Sequence, residues 1–187
     1  MSKVVSIFGS SHPVEGHADY RVAYEIGVEL GRSGFKICNG GYGGVMAASA
    51  RGAKEAGAST IGVTSDFYKG KVNSWIDKEI KLPTPMDRLL MLVELGEAYV
   101  VLKGGTGTLL ELACAWEFIN KTVVKQKPIV VFGDFWTPVI GTLRKQGLEE
   151  GIGDVTRFVY RVDTPQECAR VLLEKLVPLS GKPLPGR

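Results

Sequence analysis

The stretch that most constrains this chain is Ala98 to Trp116, AYVVLKGGTGTLLELACAW. Its apolar opening, Ala98 to Leu102, reads as a strand buried on both faces. The chain then breaks at Gly104-Gly105-Thr106-Gly107-Thr108 and resumes with Leu109, Leu110, Leu112, Ala113 and Trp116 at helical spacing. A strand, a glycine turn and a helix in that order aim free backbone N–H groups and the positive end of a helix dipole beyond the strand, where an anion is stabilised. Thr108 and Glu111 also match the S/T-x-x-E capping box, in which side chains satisfy the first turn themselves. Two readings therefore stand: a phosphate site, or a self-capped turn. Three glycines in the four positions Gly104 to Gly107 exceed what a cap requires and let a ligand approach the backbone, which favours the phosphate.

The same order of elements recurs. Val4 to Phe8 is a strand ending in Gly9-Ser10-Ser11, followed from about Ala18 by a helix with Val22, Ile26, Val28 and Leu30 on its apolar side. Phe35 to Cys38 is a second strand, running into Asn39-Gly40-Gly41-Tyr42-Gly43-Gly44. Val45 begins a helix rich in alanine (Ala47, Ala50, Ala53, Ala56), which predicts close packing against a sheet. Thr60 to Thr64 is a third strand. Ser65 to Lys78 lacks periodicity and carries Phe67, Tyr68 and Trp75, so it reads as a loop over the strand ends and a candidate ligand lid. Glu79 to Leu82 is a short extension.

Thr84-Pro85 opens the next helix as N-cap and first helical residue, with Asp87 in the first turn. Met86, Leu89, Leu90, Leu92, Val93 and Leu95 make it apolar nearly all round, which predicts burial, with a subunit contact as one cause. After the central unit come a strand at Pro128 to Phe132, a helix at Trp136 to Gln146, a strand at Phe158 to Val162 and a helix at Pro165 to Leu176. Alternation throughout predicts an α/β fold, a Rossmann-like doubly wound and mainly parallel sheet with helices on both faces. One such domain is expected over residues 1–177, with a loose Pro/Gly-rich tail at 178–187. The three glycine loops all follow strands, so they should converge on one sheet edge, the edge where open α/β sheets bind ligands.

Composition narrows the function classes. The charge is +3 without any run of Lys or Arg, too weak a bias for nucleic acid yet compatible with a small anion. Cys38, Cys114 and Cys168 are odd in number and far apart, which supports neither a disulfide framework nor a C-x-x-C zinc site. The short apolar run at the N-terminus is too short for a signal peptide, and no stretch is long enough to span a bilayer, so a cytoplasmic protein is expected. No metal and no cofactor is called for. After the first strand GSSHPVEG stands where G-x-G-x-x-G would be, and G-x-x-x-x-G-K-[ST] and G-x-S-x-G are absent.

Two residues stand out for chemistry. Arg88 lies in the first turn of an apolar helix, and a guanidinium there needs an anionic partner, either Asp87 or another carboxylate of the protein, or a ligand. Glu111 lies in the first turn after the glycine loop, within reach of a sugar attached to a phosphate bound there; the capping box competes for the same side chain. His12 and His17, in or near the first glycine loop, read as solvated and do not make a metal site.

At these residues the sequence resembles the LOG family, the cytokinin riboside 5′-monophosphate phosphoribohydrolases. The family signature P-G-G-x-G-T-x-x-E is similar to Lys103 to Glu111; the family carries an M-x-x-R-K-like element on the preceding helix, and Arg88 falls at the family's spacing before the double glycine. IFGSS at Ile7 to Ser11 and NGGYGGVM at Asn39 to Met46 are similar to the family's other loops. Two positions depart: Lys103 stands for the proline and Leu89 for the lysine. The resemblance implies hydrolysis of the N-glycosidic bond of a nucleoside 5′-monophosphate to a free base and ribose 5-phosphate, in a homodimer. It implies Arg88 and Glu111 as catalytic residues. Nucleotide contacts would come from Gly9, Ser10, Gly41, Gly43, Gly44, Met46, Gly104, Gly105, Thr106, Gly107 and Thr108. The alternative is a carrier that holds a nucleotide or molybdenum cofactor in the same cleft without cleaving it.

Overall fold

The computed structural model describes residues 2–176, and the tail expected at 178–187 lies outside the described residues. Short apolar runs and amphipathic segments alternate as β1 (Val4–Phe8), α1 (Ala18–Arg32), β2 (Lys36–Asn39), α2 (Val45–Glu55), β3 (Thr60–Ser65), β4 (Lys78–Leu82) and α3 (Pro85–Leu95), then β5 (Ala98–Val101), α4 (Thr106–Asn120), β6 (Ile129–Phe132), α5 (Thr137–Glu149), β7 (Val159–Val162) and α6 (Pro165–Leu176). The strands form one seven-stranded sheet in the order β4-β3-β2-β1-β5-β6-β7. Every pairing is parallel, for example Ser6 beside Cys38 and Tyr99. The fold is α/β and Rossmann-like. Connections leave β1 towards one edge and β5 towards the other, so the crevice between them is the switch point where such sheets hold ligands.

Two cores follow from alternation along the strands. On one face Val5, Ile7, Ile37, Val100 and Val130 meet Ile26 and Leu30 of α1 and Leu172 of α6. On the other, Phe8, Cys38, Tyr99, Val101 and Val131 meet Leu92 of α3 and Leu112 and Trp116 of α4. Cys38 and Cys168 are buried and Cys114 is half-buried. No helix among the described residues is long and apolar enough to cross a membrane.

Local expectations are corrected at four places. The small residues of α2 serve its contact with α1 as well as with the sheet: a Cβ at Gly27 would land on the Ser49 carbonyl, and one at Gly52 on the Tyr24 carbonyl. Residues 78–82 are a full parallel edge strand rather than an extension, pairing from Ile61↔Lys78 to Ser65↔Leu82. Their exposed lysines, Lys78 and Lys81, are the charges that keep an edge from pairing further. Helix α3 is not buried all round: Leu89, Leu92 and Val93 face the core, whereas Met86 is 57% exposed and Leu90 41%.

The fourth correction concerns Thr108 and Glu111. Helix α4 starts at Thr106 with Gly105 as N-cap, and no side chain caps it. Thr108 is thus inside the first turn and buried, not at the N-cap, so no capping box forms. The physical reason is that the chain enters the helix at Gly105, three residues before Thr108, so Thr108 lies within the first turn with its side chain against Gly104. Glu111 is released from the helix end.

Candidate functional site at the carboxyl edge of the sheet

The three glycine loops are stitched to one another by backbone. The Ser10 N–H donates to the Lys103 carbonyl at 3.0 Å, and the Ser10 carbonyl accepts from the Val45 N–H at 2.8 Å. Gly44 makes the second contact possible. Its φ of 64° lies in the left-handed region, and a Cβ there would press into the backbone of Ser10 and Ser11. The loops after β1, β2 and β5 therefore act as one floor, with the uncapped start of α4 opening onto it.

A cavity of about 530 Å³ lies over this floor. Of the residues singled out from the sequence, Gly9, Ser10, Met46, Arg88, Gly105, Thr106, Gly107, Thr108 and Glu111 line it. Gly41, Gly43, Gly44 and Gly104 are not in its wall. Gly41 has a φ of 77° and takes part in a turn in which its N–H donates to the Asn39 Oδ1 at 2.9 Å. Gly104 faces an adjoining cleft with Ser10, His12 and Lys103.

Arg88 and Glu111 meet across the cavity, from α3 and α4. The Arg88 Nη1 is 3.5 Å from the Glu111 Oε1, with side chains only 11% and 15% exposed. The Arg88 Nε donates to the Val63 carbonyl at 2.8 Å, and its guanidinium lies over the rings of Tyr42 (5.7 Å) and Tyr68 (5.6 Å). Asp87 is not its partner; that carboxylate accepts from the Thr84 hydroxyl at 2.7 Å. Burial pushes the Glu111 carboxyl up to about 7, against the opposing pull of Arg88. A carboxyl poised there can take or give a proton near neutral pH.

Sequence reasoning missed His12, Gly40, Tyr42, Tyr68, Lys69 and Gly70 as wall residues. Gly40 is required sterically: a Cβ would collide with the Arg88 Nη2 and sit 2.6 Å from the Met46 Sδ. Tyr42 lies inside the glycine cluster, and Tyr68 inside the aperiodic segment read as a lid, so both were within marked stretches. Tyr42 also anchors that segment, its hydroxyl accepting from the Ser65 N–H at 3.1 Å and donating to the Ser65 carbonyl at 3.2 Å. His17 is the N-cap of α1, its Nδ1 accepting from the Asp19 N–H at 3.1 Å. Among the described residues no group of three or more His, Cys, Asp or Glu is placed to hold a metal ion.

Known proteins agree with this architecture. A protein of Mycobacterium tuberculosis named cytokinin riboside 5′-monophosphate phosphoribohydrolase is 31% identical over 116 residues, 60% of this chain and 61% of that one. A protein of the same name from Rhodococcoides fascians is 25% identical over 163 residues, 83% of this chain and 81% of that one. The molybdenum cofactor binding protein of Rippkaea orientalis superimposes with a TM-score of 0.71 at 23% identity, covering 91% of this chain and 95% of the other, a likeness of fold. The profile of the SLOG cluster4 family matches residues 2–168, and the chain belongs to that family as a divergent LOG-like member.

Proposed function

We propose that this protein hydrolyses the N-glycosidic bond of a nucleoside 5′-monophosphate, releasing the base and ribose 5-phosphate. The observation that carries the reading is the buried pair Arg88 and Glu111 facing the same cavity as the uncapped turn Gly105 to Thr108. The 5′-phosphate sits on the first-turn N–H groups of α4. That places the ribose over Glu111, one helical turn further along. As the bond from C1′ to the base nitrogen breaks, the base leaves with the electron pair and positive charge develops on the ribose, as in other glycosidic cleavages. The Glu111 carboxylate stabilises that charge and takes a proton from the attacking water. Arg88, held over Tyr42 and Tyr68, orients the substrate or assists the departing base.

The two departures from the family pattern lie outside the charged pair, and it is the choice of substrate, not the pair, that the loss of the family lysine at Leu89 alters. Leu89 is 4% exposed in the core, and the Lys103 ammonium is 3.4 Å from Asp19 at the edge of the adjoining cleft. The names of the two curated relatives support the reading. We place the contact of a homodimer on the exposed Met86, Leu90, Leu109 and Leu110 of α3 and α4, the apolar surface a second copy would cover.

Incubation with AMP and chromatography for free adenine tests the reaction. Release that is lost in Arg88→Ala supports hydrolysis. Tight binding of AMP without release assigns the protein to the carriers, and absence of binding removes both.

A further inference from the structure

Two separate loops wall the cavity. Ser10 to His12 come from the loop between β1 and α1, and Tyr68 to Gly70 from the segment between β3 and β4. Both loops are also held by one side chain of α2. The Arg51 Nη1 donates to the Glu15 Oε1 at 2.9 Å, and Glu15 belongs to the first loop. The Arg51 guanidinium lies 5.4 Å from the ring centroid of Trp75, which belongs to the second. Its Nε donates to the Glu55 Oε1 at 2.9 Å, and the Tyr24 hydroxyl donates to the other oxygen of Glu55 at 2.6 Å. The same guanidinium lies 5.6 Å from the Tyr24 ring.

We propose that Arg51 is a positioning residue that ties the two cavity loops into one unit, so that ordering of one by a ligand orders the other. As a statement about substrate binding this rests on the function proposed above. The guanidinium suits the task because it is planar and presents donors at its edge and a face for stacking at once. Glu55 and Tyr24 hold it from the helix side, leaving Glu15 and Trp75 as the groups it recruits. The two attachments are unequal. Asn73 already fastens the second loop, its Nδ2 donating to the carbonyls of Gly41 (2.9 Å) and Tyr42 (2.8 Å). For the outer half of the first loop, among the described residues, Glu15 on Arg51 is the side-chain hydrogen bond to another element. Loss of Arg51 should therefore loosen Ser11 to Gly16 most and Trp75 less.

Hydrogen exchange on the whole chain tests the coupling with no assumption about catalysis. In Arg51→Met, amides of residues 11–17 should exchange about fivefold faster or more. Those of residues 74–77 should exchange about twofold faster, with the sheet unchanged. Glu15→Ala, which removes the acceptor at a 75% exposed side chain, should reproduce both effects. With AMP as probe, both variants should raise KM, or Kd where no release occurs, about three- to tenfold while kcat stays within about twofold. Arg51→Lys, which keeps the charge and loses the planar face, should recover only part. Unchanged exchange at residues 11–17 in both variants overturns the proposal. So does loosening of the first loop in Glu15→Ala with no response at residues 74–77, or faster exchange throughout the sheet in Arg51→Met with none in Glu15→Ala. Failure of AMP to bind the wild type would overturn the proposed function, and the exchange result would still decide the role of Arg51.

Discussion

Helices α3 and α4 each bring a charged side chain to the cavity, and they begin in opposite ways. At α3 the Thr84 side chain accepts from the Asp87 N–H at 3.1 Å, Pro85 removes a donor that would have no acceptor, and the Asp87 carboxylate accepts from the Thr84 hydroxyl. The first turn is satisfied from within. At α4 Gly105 stands at the cap, no side chain bonds the first-turn N–H groups, and they open onto the cavity. Arg88 of α3 and Glu111 of α4 then meet between the two starts. A helix that caps itself can carry a functional side chain, whereas one that leaves its amides bare can also hold the anion that side chain works on.

Four changes break or sharpen this contrast. The largest effect is expected from removing the acid of α4: Glu111→Ala should lower AMP turnover by about 10²–10⁴-fold, the usual range for general acid–base help, with an unchanged circular dichroism spectrum. Wild-type turnover in that variant would refute the assignment. Next is the pH response of the same group. Its carboxyl is raised in the folded protein to about 7 from an ordinary 4.5, so its contribution to stability is complete below about pH 4.5 and is lost as pH rises through about 7. Denaturant titrations should therefore find Glu111→Gln and wild type alike at pH 4.5. At pH 8.5 the variant should be the more stable, by up to about 3 kcal/mol. Turnover in the wild type should rise with pH through about 7 as the carboxylate forms.

A smaller effect follows from making α4 resemble α3. A Cβ at Gly105 meets open space, and its φ of −92° suits any residue, so Gly105→Asp can cap the helix without strain. Calorimetry should find AMP binding weaker by about tenfold, because the new carboxylate competes for the same amides, while the melting temperature stays level or rises slightly. The smallest effect belongs to α3 itself: Thr84→Ala should cost about 1 kcal/mol in urea unfolding and leave AMP affinity within about twofold. A large loss of affinity there would mean that the cap of α3, and not only its Arg88, serves the site.

Much of the fold was legible because its signals are local. The runs at Val4 to Phe8 and Ala98 to Leu102 became strands, the second ending one residue sooner at Val101, and Thr84-Pro85 opened its helix as expected. Pro165 to Leu176 matched its helix end for end. These depend on residues within four positions of one another. Local rules misled at Thr108 and Glu111, where a capping-box spacing coincided with a helix that starts three residues earlier. They misled again at α3, whose apolar residues exceed what its core contact covers, so Met86 and Leu90 remain exposed. Tyr42, Tyr68 and Lys69 lie in stretches the sequence marked, but which residues of those stretches reach the cavity depends on how the segment after β3 folds back over the loop after β2.

The sequence alone determined the alternation of strands and helices, the three glycine turns and their common edge, since hydrophobic period and glycine's freedom act within a few residues. Only the tertiary structure decided what surrounds Glu111. Its partner Arg88 is 23 residues away in the chain, and the burial that raises its carboxyl comes from strands and helices that meet only when the sheet is assembled. Proton affinity in a buried site is a property of the surroundings, and those surroundings are written in no single stretch of the chain.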